Sequence, residues 1–184
     1  MRALLERKFL PFVIKPGRYA GGEPGQIVKE PSGRLKYLIA FPDKYELGQS
    51  YLGLQTLYQV VNQDDRFLAE RVFAVDVDAE ELMRREGIPL FSLESSRPAI
   101  EFDAIGFTLI YELVYTNVLA MLDLAGVPLR SRDRTEEHPL IFAGGPAVYN
   151  PEPVAEFFDA FFIGDGEEGL PEMLSVLSEL KSRS

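Results

Sequence analysis

The sequence predicts a doubly wound α/β fold: a mainly parallel, five-stranded sheet covered by helices on both faces, with an irregular N-terminal arm. Three observations point there. From Leu35 onward, strand-length apolar runs alternate with helical patterns about five times, and connections of that length join parallel strands through right-handed crossovers. Two of the runs, in "PLIFAGG" and "AFFIGDG", end at glycine corners that open into helices. Before Leu35, "KPGRYAGGEPGQIVKEPSG" is too rich in glycine and proline for regular structure. The boundary therefore falls between an arm, residues 1–34, and an α/β domain, residues 35–184.

A short helix is expected ahead of the glycine-rich part of the arm. "LKYLIAF" is a compact apolar run between Gly33 and Pro42-Asp43, which suits a buried strand. "PDKYELGQS" reads as a loop. A helix then starts near Tyr51 with Ser50 as its N-cap, and Leu54, Leu57, Tyr58 and Val61 form its apolar stripe. "LAERVFAV" is a second strand, polar enough to lie near a sheet edge. "DVDAEELMRREG" is a helix with Asp78 and Glu81 in capping-box spacing and Gly87 as its stop. "IPLFSLESSRPAIE" is a long connection with room for a short extra strand, and "FDAIGFTL" is the third core strand. In the helix "YELVYTNVLAMLDLAG", Val114, Val118, Met121 and Ala125 make one stripe, which Leu113, Leu119 and Leu122 widen. A helix so apolar packs on several sides. "PLIFAGG" and "AFFIGDG" complete the sheet, and the last helix runs from about Leu170 with Pro171 in its first turn.

The composition is that of one soluble globular domain, 46% apolar and 26% charged over 184 residues. A net charge of −10 repels phosphate backbones. "RSRDR" is too short and too mixed with acid to reverse that, and reads as a solvated loop. Neither nucleic acid nor a membrane is an expected partner. The chain has no cysteine, which excludes disulfides, thiolate nucleophiles and cysteine-ligated clusters within it. "MRALLERKFLPFVIKPG" is too short and too charged for a signal peptide, and no run has spanning length, so a cytoplasmic location is expected.

In doubly wound sheets, ligands bind beyond the carboxyl ends of the strands, near the point where strand order reverses. The unusual turns of this sequence all map to that edge. The loop after the first strand offers Pro42, Asp43 and Gly48; the third offers Tyr111, Glu112 and Asn117. The fourth offers Gly144, Gly145 and Pro146, and the fifth Gly164, Asp165, Gly166 and Glu167. Glycines at such corners let backbone approach a broad ligand, and N–H groups at the following helix ends can bind its oxygens. Tight turns and helix caps explain the same residues without a ligand. Glu112 also suits the positive end of a helix dipole. His138 reads as a loop residue on the opposite edge. No metal set, catalytic triad or phosphate-binding P-loop is present, so no catalytic residue is assigned.

The succession "FPDKYELG", "AERVFA", "LFSLES", "FDAIGFTLIYELVYTNVLAMLDLAGVPL", "GGPAVYNPEP" and "FFIGDGEE" resembles the N-terminal cobalamin-binding-like domain of a group of radical SAM proteins. It covers roughly Lys15 to Glu172; "YELVYTN" and "LFSLES" carry the narrower assignment. The resemblance implies a Rossmann-like fold of the cobalamin-binding or flavodoxin type. It also implies a downstream partner, a partial β/α barrel whose C-x-x-x-C-x-x-C loop holds the [4Fe-4S] cluster that cleaves S-adenosylmethionine. Both of those cofactors are expected in that partner. This chain is then expected to be an excised, accessory N-terminal domain that offers a cobalamin-type cofactor or substrate surface. One departure stands out. Methyltransferase-type cobalamin domains carry D-x-H-x-x-G after the first strand, whereas this loop is "PDKYELGQS", with Asp43 but no histidine. Histidine ligation of cobalt is excluded there, leaving binding without a protein ligand or loss of cobalamin. Two other readings stay open: a cofactor-free docking module of the same fold, and a flavin carrier, although Ser50, late in the loop, is the lone serine or threonine where flavin phosphate usually finds several.

Overall fold

The computed structural model describes residues 1–183. Five strands, β1 (Leu35–Phe41), β2 (Phe67–Phe73), β3 (Ala104–Thr108), β4 (Leu140–Gly144) and β5 (Ala160–Phe161), form one sheet in the order β2-β1-β3-β4-β5. Every pairing is parallel. Strand order reverses between β1 and β3, so the doubly wound expectation holds and places the switch point there. The side-chain period of two divides β1 between two cores: Leu38 and Ala40 face one, Tyr37, Ile39 and Phe41 the other. The first core is covered by α1 (Arg2–Lys8), α4 (Val77–Glu86) and α5 (Tyr115–Ala125); the second by α3 (Leu52–Gln63) and α6 (Gly166–Arg183).

Several local expectations are corrected. The segment after β1 is not a loop throughout but holds a short helix, α2 (Tyr45–Ser50). Ser50 therefore ends α2, its Oγ donating to the carbonyls of Glu46 and Leu47, and the N-cap of α3 is Tyr51. Asp78 makes no capping box; its carboxylate accepts the N–H of Ile14, 2.7 Å away. Gly87 does stop α4 in the left-handed conformation. Leu113 lies in a 3-10 turn ahead of α5 and is exposed rather than packed. β5 is only two residues long, and α6 begins at Gly166, so Pro171 falls inside it. Arg134, read as part of a solvated loop, has its side chain almost fully covered: its guanidinium donates to the Phe157 carbonyl at 2.8 Å and to Asp159 at 3.1 Å. His138 lies on a loop at the amino edge, as expected, its Nδ1 accepting the Thr135 N–H.

The arm is irregular in conformation but tied into the fold. Leu5 and Phe9 are completely buried in the first core, and such side chains each stabilise by about 2 kcal/mol. Further along, Lys29 donates to the carbonyls of Asn62, Asp64 and Phe67, neutralising the end of α3 and the start of β2. β2 is the sheet edge, as its polar residues suggested, and side chains together with one main-chain N–H occupy its outward backbone groups. Asn62 accepts the Ala69 N–H and donates to the Ala69 carbonyl. Glu94 accepts the Arg71 N–H, and the Leu93 N–H donates to the Arg71 carbonyl. Such blocking prevents an edge from pairing with another chain. The Arg71 and Glu94 side chains also pair with each other at 2.7 Å, almost fully buried, and the guanidinium lies over the Tyr58 ring.

Candidate functional site

At the carboxyl edge the sheet presents two unlike halves. Over the β1/β3 switch point the chain closes on itself. Asp43 accepts the hydroxyl of Tyr111, which raises the pKa of that phenol, and its other oxygen accepts the Lys44 N–H at 2.7 Å. Asn117, at the start of α5, donates to the carbonyl of buried Pro42 at 2.9 Å. Pro42, Asp43, Tyr111 and Asn117 thus form one cluster that joins the first and third loops. Gly48 contributes differently. It is buried in α2 with its Cα against the rings of Phe73 and Phe41, where no side chain fits. Its bareness serves helix–strand packing. Glu112 is exposed and outside the cluster.

Beyond β4 and β5 the edge is open. A cleft of about 160 Å³ lies between the sheet and helices α3 and α6. Gly144, Gly145, Gly164, Gly166 and Glu167 line it, whereas Pro146 and Asp165 do not. These glycines are not equivalent. Gly145 has φ +100°, and a Cβ there would lie 2.7 Å from the Leu109 carbonyl oxygen, so this corner is bared for the protein's own backbone. Gly144 meets nothing nearer than 3.9 Å and is bared toward the cleft. Residues that the sequence analysis did not select complete the walls: Tyr37, Tyr51, Gly53, Gly106 and Thr108 among them. Gly106 carried a signal, since an interior strand glycine marks a close approach; here the Tyr37 hydroxyl takes the space its Cβ would fill.

The loops after the strands also expose large apolar side chains. Leu47 and Leu52 follow β1, Leu113 follows β3, Tyr149 follows β4 and Ile163 follows β5; Leu113 is 86% and Tyr149 76% exposed. Apolar groups in the connections after β1, β3, β4 and β5 thus stand exposed at one edge, and such groups suit contact with a flat apolar ligand or another protein surface. Among the described residues no group of three or more histidine, cysteine or carboxylate side chains converges as a metal site. No helix among them is long and apolar enough to cross a membrane.

Fold and edge together define an open, parallel α/β domain of the flavodoxin-like strand order, with a glycine-lined cleft beside its switch point. Its sequence places it more narrowly. The family model for radical SAM proteins, N-terminal, matches residues 53–184, and the chain belongs to that family. It is also similar to "Uncharacterized protein MJ0966" of Methanocaldococcus jannaschii, 29% identical over 143 residues. That alignment covers 76% of this chain and 26% of the relative, so the chain spans about a quarter of the length of the curated protein it matches.

Proposed function

We propose that this chain serves as the accessory N-terminal domain of a radical SAM enzyme and offers its carboxyl edge as a surface for a cobalamin-type cofactor. The single observation that supports this most is the pairing of the exposed apolar loop residues with an adjoining cleft at the ligand-binding edge of the sheet. The residues fit such a group in part. Leu113, Tyr149 and Ile163 offer apolar contact to a flat macrocycle, and the bare Gly144 leaves room below it. A bound cobalamin would supply a cobalt centre for alkyl-group or electron transfer. Asp43, held by Tyr111, and Asn117, held on Pro42, would keep the floor of the surface rigid and exclude water from beneath it. No histidine stands at this edge, so the cofactor would receive no imidazole from the chain. The iron–sulfur cluster and S-adenosylmethionine would belong to a downstream barrel.

Hydroxocobalamin added to the purified chain tests the reading. Retention through a desalting column, with the absorbance of the form whose own base has left cobalt, is expected. Free passage with an unchanged spectrum would overturn it.

A second reading, a cofactor-free docking face for the barrel, is favoured by one observation: the chain's own Tyr111–Asp43 and Asn117–Pro42 contacts already fill the switch point. Leu113→Glu separates the two. Weakened association with a separately expressed barrel, in the absence of any corrin, would favour docking.

A further inference from the structure

Two faces at opposite ends of the molecule match each other, and no copy can bring its own two together. The first is on the arm. Residues 1–18 carry five Lys or Arg against one Glu, whereas the rest of the chain carries fourteen against twenty-eight Asp or Glu. From this basic stretch Phe12 and Ile14 project into solvent, 68% and 80% exposed. The Ile14 N–H on the Asp78 carboxylate brings them to the first turn of α4, where Val77 is 72% exposed. Around this apolar knob, Arg7 has no ion-pair partner among the described residues, and Lys8 and Lys15 have only exposed ones, Glu86 and Glu46, at 3.4 Å. One exposed apolar residue needs no explanation, but three together, ringed by a single sign of charge, mark a contact site.

The second face is a groove of about 860 Å³ at the amino edge, beside the starts of β1 and β4. Leu35, Phe102, Leu140, Leu177 and Leu180 give it an apolar lining, and Leu140 and Leu180 are exposed. Its cations are already neutralised, Lys181 by Asp103 and Arg134 by Asp159. Glu136 and Glu137 among its walls have no cation beside them, and Glu101 has only Arg97, at 3.4 Å. The groove is therefore negative where the knob is positive, and its volume lies in the range that takes several side chains rather than one. The knob follows the carboxyl end of β2 and the groove adjoins the amino ends of β1 and β4, so in this parallel sheet they lie at opposite edges.

We propose that the arm of one copy docks in the amino-edge groove of the next, with Phe12 and Ile14 entering the groove while Arg7, Lys8 and Lys15 face Glu136 and Glu137. Such a contact is heterologous: each copy gives one face and receives on the other, so dimers extend into chains or close into rings. It uses neither the cleft nor the apolar loops of the cofactor surface, and so stands apart from that reading. A second copy suits the knob better than an anionic membrane does. The groove supplies a matched acidic seat, and the strongly negative remainder of the chain is repelled by anionic lipid. Both faces are small, which puts the contact in the weak class, with a dissociation constant on the order of 100 μM.

Sedimentation velocity of the 184-residue chain at rising concentration is the test. The sedimentation coefficient is expected to climb from the monomer value as concentration passes about 100 μM, and to fall back as salt screens the charges. Phe12→Asp, which removes the knob, and Glu136→Lys with Glu137→Lys, which reverses the groove, are each expected to weaken association at least about tenfold. All three positions are exposed, so the fold is retained, as thermal melts would check. Mixing the two variants is the decisive arm. One brings an intact groove and the other an intact knob, so the mixture is expected to form dimers and nothing larger. A chain that stays monomeric throughout, association untouched by either change, or a mixture no more associated than its parts would overturn the inference. So would flotation of a monomeric chain with phosphatidylserine vesicles, which would give the knob to a membrane.

Discussion

The two halves of the carboxyl edge use the same kinds of residue to opposite ends. Over β1 and β3, polar side chains reach between loops and close the surface: Tyr111 to Asp43, Asn117 to Pro42. Over β4 and β5, side chains are missing and the surface opens into a cleft. The lesson lies in the glycines. Gly48 and Gly145 are bare because the protein's own Phe73 ring and Leu109 carbonyl stand where a Cβ would be. Gly144 is bare with little opposite it. A glycine corner thus counts toward a ligand only after the chain's own packing has been subtracted.

The sharpest way to break that contrast is to add one methyl group at neighbouring positions. Gly145→Ala forces a side chain into positive φ and against Leu109, and is expected to cost about 3 kcal/mol in urea unfolding. Gly144→Ala is expected to change stability by less than about 0.5 kcal/mol while narrowing the cleft. Equal losses at the two positions would erase the distinction between them. Next in size, Asn117→Ala leaves the buried Pro42 carbonyl without its donor and is expected to cost about 1–2 kcal/mol. The same melts would show no such loss if water replaced the amide.

The smallest expected effect is one of pH. Arg18 braces the closed half by gripping Glu46 of α2 and Asp76 ahead of α4. The Arg18 guanidinium holds the Glu46 carboxyl down at about 2, against 4.5 for the free group. A carboxyl depressed on folding contributes stability above its unfolded pKa and loses it as pH falls through the folded one. Amide protection around α2, corrected for the intrinsic exchange rate at each pH, should therefore fall between pH 4.5 and about 2, and Glu46→Gln should flatten that change. The open half, which lacks this ion pair, should not follow.

The sheet was legible because each strand announces itself as an apolar run bounded by turn residues, and β2 marked itself as an edge by Glu70 and Arg71. The local errors share a cause. Ser50 and Asp78 have cap chemistry at cap spacing, but tertiary partners outcompete that role: Asp78 receives the Ile14 N–H from the arm, and α2 absorbs Ser50. The glycine side of the cleft was readable from "GGP" and "GDG". Its hydroxyl side was not, because Tyr37, Tyr51 and Thr108 come from separate segments and meet only once β1 pairs with β3 and α3 folds over them.

The blocked edge of β2 has a practical corollary for anyone trimming this protein. Composition invites a cut just before Leu35, where glycine and proline give way to regular pattern. A fragment beginning there would lack the hydrocarbon of Leu5 and Phe9 and the ammonium of Lys29. Its first core would lose two buried side chains and the Phe67 carbonyl at the β2 edge its ammonium donor, although Asn62 and Glu94 would still block the rest of that edge.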